Sequence, residues 1–290
     1  MKSQYRQYLR QGEAAGMRYA FMIPRNAMTG ISGARLGHMS GSSLDFNDYR
    51  EYQPGDDLRS IDWGIYARTD KLTVKLYREE VTPHVDIVLD CSPSMALKDT
   101  GKEGSAIMIA AALATAAANA KSTFALWLTS RGCTKAANAS LLPSTWDGIE
   151  FDSPMNPPEC FAALPPAWRR RGVRVLISDL LWLGEPLQFL KRMADGAASV
   201  VVIQVLAAVD ADPDTQGNVR LVDCETGLPL EIFADAVVLQ QYREALARHQ
   251  QNWQRGCRQV GATITTIIGN GAYDAPELRT LEELQILQAL

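Results

Sequence analysis

The sequence is short of the residues on which many chemistries depend. It holds three histidines and five cysteines in 290 residues. His38, His84 and His249 lie far apart with no ligand spacing, so each reads as incidental. Cys91, Cys133, Cys160, Cys224 and Cys257 are scattered, odd in number and without a CxxC pair. That argues against a disulfide framework or a zinc site and fits a reducing compartment. No apolar run approaches the roughly 18 residues of a membrane span without polar interruption. The first stretch, MKSQYRQYLRQGEAAGMRYA, lacks the apolar core of a secretory signal, so the cytoplasm is the expected location. An excess of positive charge is missing too. Lys and Arg number 29 against 33 Asp and Glu, a net charge of -4, which leaves no global footprint for nucleic acid or an anionic membrane. Arg169, Arg170 and Arg171 form a local basic run, read as a solvated loop, with a phosphate or acidic contact as the alternative. No repeat of solenoid length and no long low-complexity segment is found.

What is present is apolar and strongly patterned. Hydrophobic residues make up 47% of the chain, enough for a sizeable core. The stretch RNAMTGISGARLGHMSGSSLDFNDYREYQPGDD, residues 25–57, is rich in Gly, Ser, Asn and Asp and reads as extended with turns. The Pro54-Gly55 turn leads to Asp56 and Asp57, either of which suits the N-cap of a short helix through LRSIDWGIYAR. KLTVKLY then alternates, with Leu72, Val74 and Leu76 on one face of a half-exposed strand. Beyond residue 84 the texture changes to compact apolar runs: VDIVLD, STFALWLTS, GVRVLISDL, SVVVIQVLA and the more alternating ATITTIIG. Helical stretches separate them, at 104–121, 157–164, 186–197 and 235–260. Apolar strands alternating with helices predict an α/β domain with a mostly parallel sheet covered on both faces. GNVRLVDCETGLPLEIFA reads as a hairpin around Glu225 to Gly227. DAPELRTLEELQILQAL reads as an amphipathic helix with Leu278, Leu281, Leu284 and Leu287 along one side, covering the sheet or, second, meeting a partner.

Two of the apolar runs end in an acid, Asp90 and Asp179, and open α/β sheets bind ligands beyond the carboxyl ends of their strands. The first acid opens DCSPSM. Asp90, Ser92 and Ser94, with Asp179 from the later strand, form an oxygen-only set suited to Mg2+ or Mn2+, water completing the shell. In the bland alternative, Ser92 or Ser94 N-caps the next helix and Asp90 takes main-chain N–H bonds. Cys91, inside the loop, lacks a nearby histidine in sequence and reads as a small apolar filler rather than a nucleophile.

DCSPSM resembles the metal-ion-dependent adhesion site of von Willebrand factor A domains. The stretch LDFNDYREYQPGDDLRSIDWGIYARTDKLTVKLYREE, together with LVDCETG, resembles the bacterial domain of unknown function numbered 58. The resemblance runs from about residue 30 onward. It implies a von Willebrand factor A-like (Rossmann-like) domain over 81–290, after an N-terminal extended block over 1–80 with a short helix and strand. It implies Asp90, Ser92 and Ser94 as the first metal loop and Asp179 as an acid acting through water. Where many relatives supply a threonine from a Gly-Gly-Thr-type loop, this chain reads FDSPMNPPECFAAL, leaving Ser153 or Asp152 as the substitute. It implies as partner a MoxR-type AAA+ ATPase, in a chaperone-like or complex-assembly role.

The acids of PGDDLRSIDW, Asp56, Asp57 and Asp62, read as caps and as partners of Arg59, with Trp63 and Tyr66 packing inward. A second metal site or an acid catalyst is the competing reading. The expected function is non-enzymatic recognition of an acidic group on a protein partner through the cation. The first alternative is a metal-free scaffold of the same fold. The other, a metal-dependent hydrolase or phosphatase using Asp90, lacks the second acid that phosphatase chemistry needs two residues on, where Ser92 stands. No G-x-S-x-G elbow points to a serine hydrolase either.

Overall fold

The computed structural model describes residues 2–24, 29–31, 44–80, 82–269 and 276–290. His38 and much of the Gly- and Ser-rich early stretch lie outside the described residues. The chain divides into two compact units, Met1–Met22 with His84–Leu290, and Ile23–Pro83. The boundary expected at residue 80 falls close to the junction at 83/84. The first 22 residues, however, do not belong to the early block as expected. Helix α1 (Ser3–Gly16) and strand β1 (Tyr19–Phe21) are part of the larger unit.

The smaller unit holds β2 (Thr29–Ile31), β3 (Leu44–Glu51), α2 (Trp63–Thr69) and β4 (Thr73–Glu80), its strands antiparallel in the order β2-β4-β3. The single helix expected through LRSIDWGIYAR is split. Ile61 is drawn into an antiparallel bridge with Val74, and both are buried. Asp57 therefore caps a short 3-10 turn, Leu58–Ser60, and Asp62 caps α2 by accepting from the main-chain N–H of Gly64 and Ile65. Asp56 instead takes both terminal nitrogens of Arg50 at 2.8 and 2.6 Å. Arg59 pairs with Asp57, and Lys75 with Asp62. These bonds hold all three carboxyls below the usual carboxylate range, the reverse of what an acid catalyst needs. Trp63 and Tyr66 do not pack inward: they are 59% and 38% exposed and meet edge to face.

The larger unit continues with β5 (His84–Leu89), α3 (Lys102–Asn119), β6 (Thr123–Thr129), β7 (Cys133–Lys135), α4 (Pro157–Ala163) and β8 (Val173–Ser178). It ends with α5 (Pro186–Ala194), β9 (Ser199–Ala207), α6 (Ala208–Ala211), β10 (Gly217–Val222), β11 (Pro229–Ala234), α7 (Ala236–Val260), β12 (Thr263–Gly269), α8 (Pro276–Glu283) and β13 (Leu287–Ala289). Six strands form one sheet in the order β12-β9-β8-β5-β6-β7, parallel except for β7. Every residue of β5 and β8 is buried, so both read as mostly apolar runs without the alternation of a half-exposed strand, and the polar side chains they carry, among them Asp86 and Arg174, are buried too. Val88, Trp127, Leu176 and Val202 share a core with Phe189 and Leu190 of α5 and Trp253 of α7. α3 is buried on all sides from Gly104 to Ala117, and its small side chains let α1 approach closely. A Cβ on Gly12 would run into the main-chain carbonyl of Met108.

The C-terminal helix is shorter than expected. It stops at Glu283, and β13 pairs antiparallel with β1, so Leu287 is buried in a strand while Leu284 is exposed. No helix among the described residues is long and apolar enough to cross a membrane. The chain runs from β5 to β6 on one side and then to β8 on the other. The reversal in strand order therefore lies between β5 and β8, and in open α/β sheets ligands bind at the carboxyl ends of the strands on either side of it.

Candidate metal centre

Asp90 follows the last residue of β5. Its main-chain N–H donates to Ile177 O of β8 at 2.9 Å, which ties the two strand ends together. The carboxylate is fully buried. Oδ1 accepts from the Ser92 main-chain N–H at 2.9 Å, and Oδ2 accepts from Ser178 Oγ at 2.6 Å. Burial, and then the nearby charge of Asp179, push its pKa up to about 7, the hydrogen bonds offsetting only part of this. Ser92 heads a 3-10 turn (Pro93–Ala96), yet its side chain makes no capping hydrogen bond. Its hydroxyl is hydrogen-bonded to that of Ser94, oxygen to oxygen 3.0 Å apart. Adjacent oxygens in a Mg2+ octahedron, each about 2.0–2.1 Å from the ion, lie about 2.8–3.0 Å apart, whereas Ca2+ would spread them further. The 3.0 Å between the hydroxyls is a hydrogen-bond distance, close to the edge of such an octahedron, so a cation taking both oxygens needs little movement of either.

Asp179 follows β8 at the same edge of the sheet, but it is already engaged. Its Oδ2 receives the Lys102 ammonium at 2.9 Å and its Oδ1 the Leu181 N–H at 3.1 Å. Lys102, the first residue of α3, is fully buried and also reaches Asp210 Oδ2 at 2.9 Å. Burial pulls the Lys102 pKa down, but the two carboxylates outweigh it and the group is held as an ammonium. Gln204 Nε2 fixes the Asp179 carbonyl, and Gln250 and Thr266 fix Gln204 in turn. Leu180, the next residue, is buried with φ at +59°, and its carbonyl meets His249 Nε2 at 2.6 Å. A bulky residue in the left-handed region stores strain of roughly 1–3 kcal/mol, which must be held by its surroundings.

Ser153 comes close to the loop, its N–H donating to Cys91 O at 3.0 Å. Its hydroxyl is on the main-chain carbonyls of Ser130 and Met155, at 2.8 and 2.6 Å, so it is not presented as the threonine substitute. Asp152 is exposed, and its charge reaches Cys91. Cys91 is buried as expected of a filler, and burial pushes its thiol well above its ordinary value. In the turn between β10 and β11, burial raises the Glu225 pKa, and the charges of Asp223 and then Asp179 add to it.

Among the described residues no group of three His, Cys, Asp or Glu side chains is placed to hold a metal. A cation here would rest on the hydroxyls of Ser92 and Ser94, with Asp90 and water behind them. That donor chemistry fits Mg2+ or Mn2+. Asp179 and Ser153, as placed, add nothing directly. Sequence reasoning missed Lys102, Asp210 and Ser178. The one available signal was Lys102 and Glu103 as the sole charges on an otherwise apolar helix.

Comparison with known proteins places the chain among uncharacterized bacterial sequences. It is 27% identical over 273 residues to Uncharacterized protein Rv1480 of Mycobacterium tuberculosis, covering 88% of this chain and 84% of the relative. It is 36% identical over 101 residues to Uncharacterized protein MAV169 of Mycobacterium avium, covering 34% of this chain and 58% of that one. Among solved structures, conserved hypothetical protein BatB from Bacteroides thetaiotaomicron aligns over 70% of this chain and 97% of its own, at 13% identity and a TM-score of 0.36. An aerotolerance-related membrane protein from Bacteroides fragilis aligns over 69% and 99%, at 15% identity and a TM-score of 0.34. The family model that matches covers residues 48–145 and 152–252, more than half of the sequence, and the chain belongs to the family described as Protein of unknown function DUF58.

Proposed function

We propose that the protein is a non-enzymatic interaction module of von Willebrand factor A-like build. Its Asp90–Ser92–Ser94 loop holds Mg2+ or Mn2+, which an acidic group of a protein partner then ligates. The observation that carries this reading is the pair of serine hydroxyls, bonded to each other 3.0 Å apart, on the loop of the buried Asp90 carboxylate at the strand-order reversal. Bound there, the cation supplies a site for an external anion. The excess negative charge of Asp90, Asp179 and Asp210 over Lys102 would repel an acidic partner until the cation is present. Partner recognition is thus expected to be metal-dependent. By family resemblance, a MoxR-type AAA+ ATPase is the partner to try first.

Titration calorimetry with Mg2+ and Mn2+ on the wild type, Asp90→Ala and a Ser92→Ala/Ser94→Ala double variant tests the site. Binding in the wild type that is lost in folded double variant supports the reading; equal binding in all three removes it. A pull-down with and without chelator tests the metal dependence of the partner. One observation favours a second reading, the metal-free scaffold. Lys102 already brings a positive charge to Asp179, and Ser153 is turned to main-chain carbonyls.

A further inference from the structure

Lys102 is more than a satisfied buried charge. A buried ion pair is weak evidence for stability, because well-packed apolar residues often replace one without loss. Here one ammonium serves two carboxylates from different strand ends, Asp179 after β8 and Asp210 after β9, at 2.9 Å each. One of the two belongs to the candidate metal centre. The Leu181 N–H takes the other oxygen of Asp179, so both oxygens of that carboxylate are committed. With Asp90 ionised, Asp90, Asp179, Asp210 and Lys102 together carry two negative charges, which a divalent ion would cancel.

We infer that Lys102 is a built-in counter-cation that sets how tightly the Asp90–Ser92–Ser94 site holds a divalent metal, by occupying Asp179 and opposing the metal with its own charge. This rests on the metal-site reading above and deepens it. Without Lys102 the same acids would hold three negative charges and Asp179 would be free to turn to the metal. The ion would then be gripped more tightly and left less receptive to an outside carboxylate. Asp210 acts in the opposite sense, because it shares the ammonium and draws part of its charge away from Asp179. Lys102 is therefore a positioning residue, acting on the metal through Asp179 and through the field.

The test is a titration of the full chain with Mn2+ alone, read by the loss of the free-ion electron paramagnetic resonance signal, on wild type, Lys102→Met and Asp210→Asn. Lys102→Met is expected to bind Mn2+ about tenfold more tightly or better, and Asp210→Asn several-fold more weakly. Opposite signs separate this role from a structural one, since damage to the fold would weaken both. A folded Lys102→Met that binds no more tightly than wild type overturns the inference. If Lys102→Met does not fold, Asp210→Asn decides alone, and binding as tight as wild type overturns it. Mn2+ bound by wild type with equal affinity in the folded variants sinks the role of Lys102 and leaves the metal site standing. No Mn2+ bound by any of the three at millimolar concentration sinks both. Binding by Lys102→Met alone supports the inference in its strongest form.

Discussion

Asp90 cannot be treated as an ordinary carboxylate. Its pKa of about 7 stands above the value near 3.9 of an unfolded aspartate, so between those limits the folded chain binds more proton than the unfolded one. Stability from this group is fully present below the unfolded value and is lost as pH rises through the folded one. For the metal-free protein the loss is of the order of 4 kcal/mol at most, by the conversion of three pKa units. In chelator, the urea midpoint is therefore expected to fall between pH 5 and pH 8, and Asp90→Asn is expected to flatten that slope. An unchanged slope in the asparagine variant would place the titrating group elsewhere. A bound cation favours the ionised carboxylate, so Mg2+ should stabilise more at pH 8 than at pH 5. Asp90, Ser92, Ser94 and Asp179 stand out as candidates in the sequence because strand ends and two-residue spacing are local properties. Lys102 does not, because its partners lie 77 and 108 positions away. Ser153 enters only as a substitute for the threonine that the resemblance implies, and the direction of its hydroxyl, onto the Ser130 and Met155 carbonyls, depends on the loop around it.

At the scale of elements, the apolar runs revealed five strands of the large sheet, β5, β6, β8, β9 and β12, but not the edge strand β7, which is three residues long with two of them exposed. Patterning also gave α3, α4, α5 and α7 to within a few residues. It did not give α1. The buried face of that helix runs through Tyr5, Tyr8, Leu9, Gly12 and Gly16, and two of these are glycines, which carry no hydrophobic signal. Their role is closeness: the helix backbone rests against α3 at Met108 and Ala112. That contact makes a prediction opposed to helix propensity. Gly→Ala inside a helix ordinarily gains about 1 kcal/mol, yet a methyl on Gly12 meets a main-chain carbonyl that has no rotamer to yield. Overpacking of this kind costs about 1–3 kcal/mol. Urea denaturation of Gly12→Ala is expected to show a net loss. A gain would mean that α1 does not lie on α3 in solution.

At the scale of the molecule, the larger unit is built from two separate stretches of chain, and its closing contact is made by the first and last described segments. β1 and β13 pair through Tyr19 with Ala289, Ala20 with Gln288 and Phe21 with Leu287. The ladder extends at both ends, Met22 N–H donating to Ile286 O and Leu290 N–H to Arg18 O, each at 2.9 Å. Phe21, Ile286 and Leu287 are buried there, and Asn119 Nδ2 at the end of α3 holds the Gly16 and Tyr19 carbonyls. Removal of residues 285–290 takes away two buried apolar side chains, each worth about 1.5–3 kcal/mol, and leaves β1 as an unpaired three-residue strand. The truncated chain is expected to lose several kcal/mol in urea denaturation. It should also become cleavable by protease within residues 3–22, because α1 is held to α3 at its C-terminal end partly through that strand. The central strands β5 and β8 lose no pairing, so the gain in melting temperature on adding Mn2+ should persist. Loss of that gain with the fold intact would mean that the chain ends act on the candidate metal centre through α3, whose first residue is Lys102.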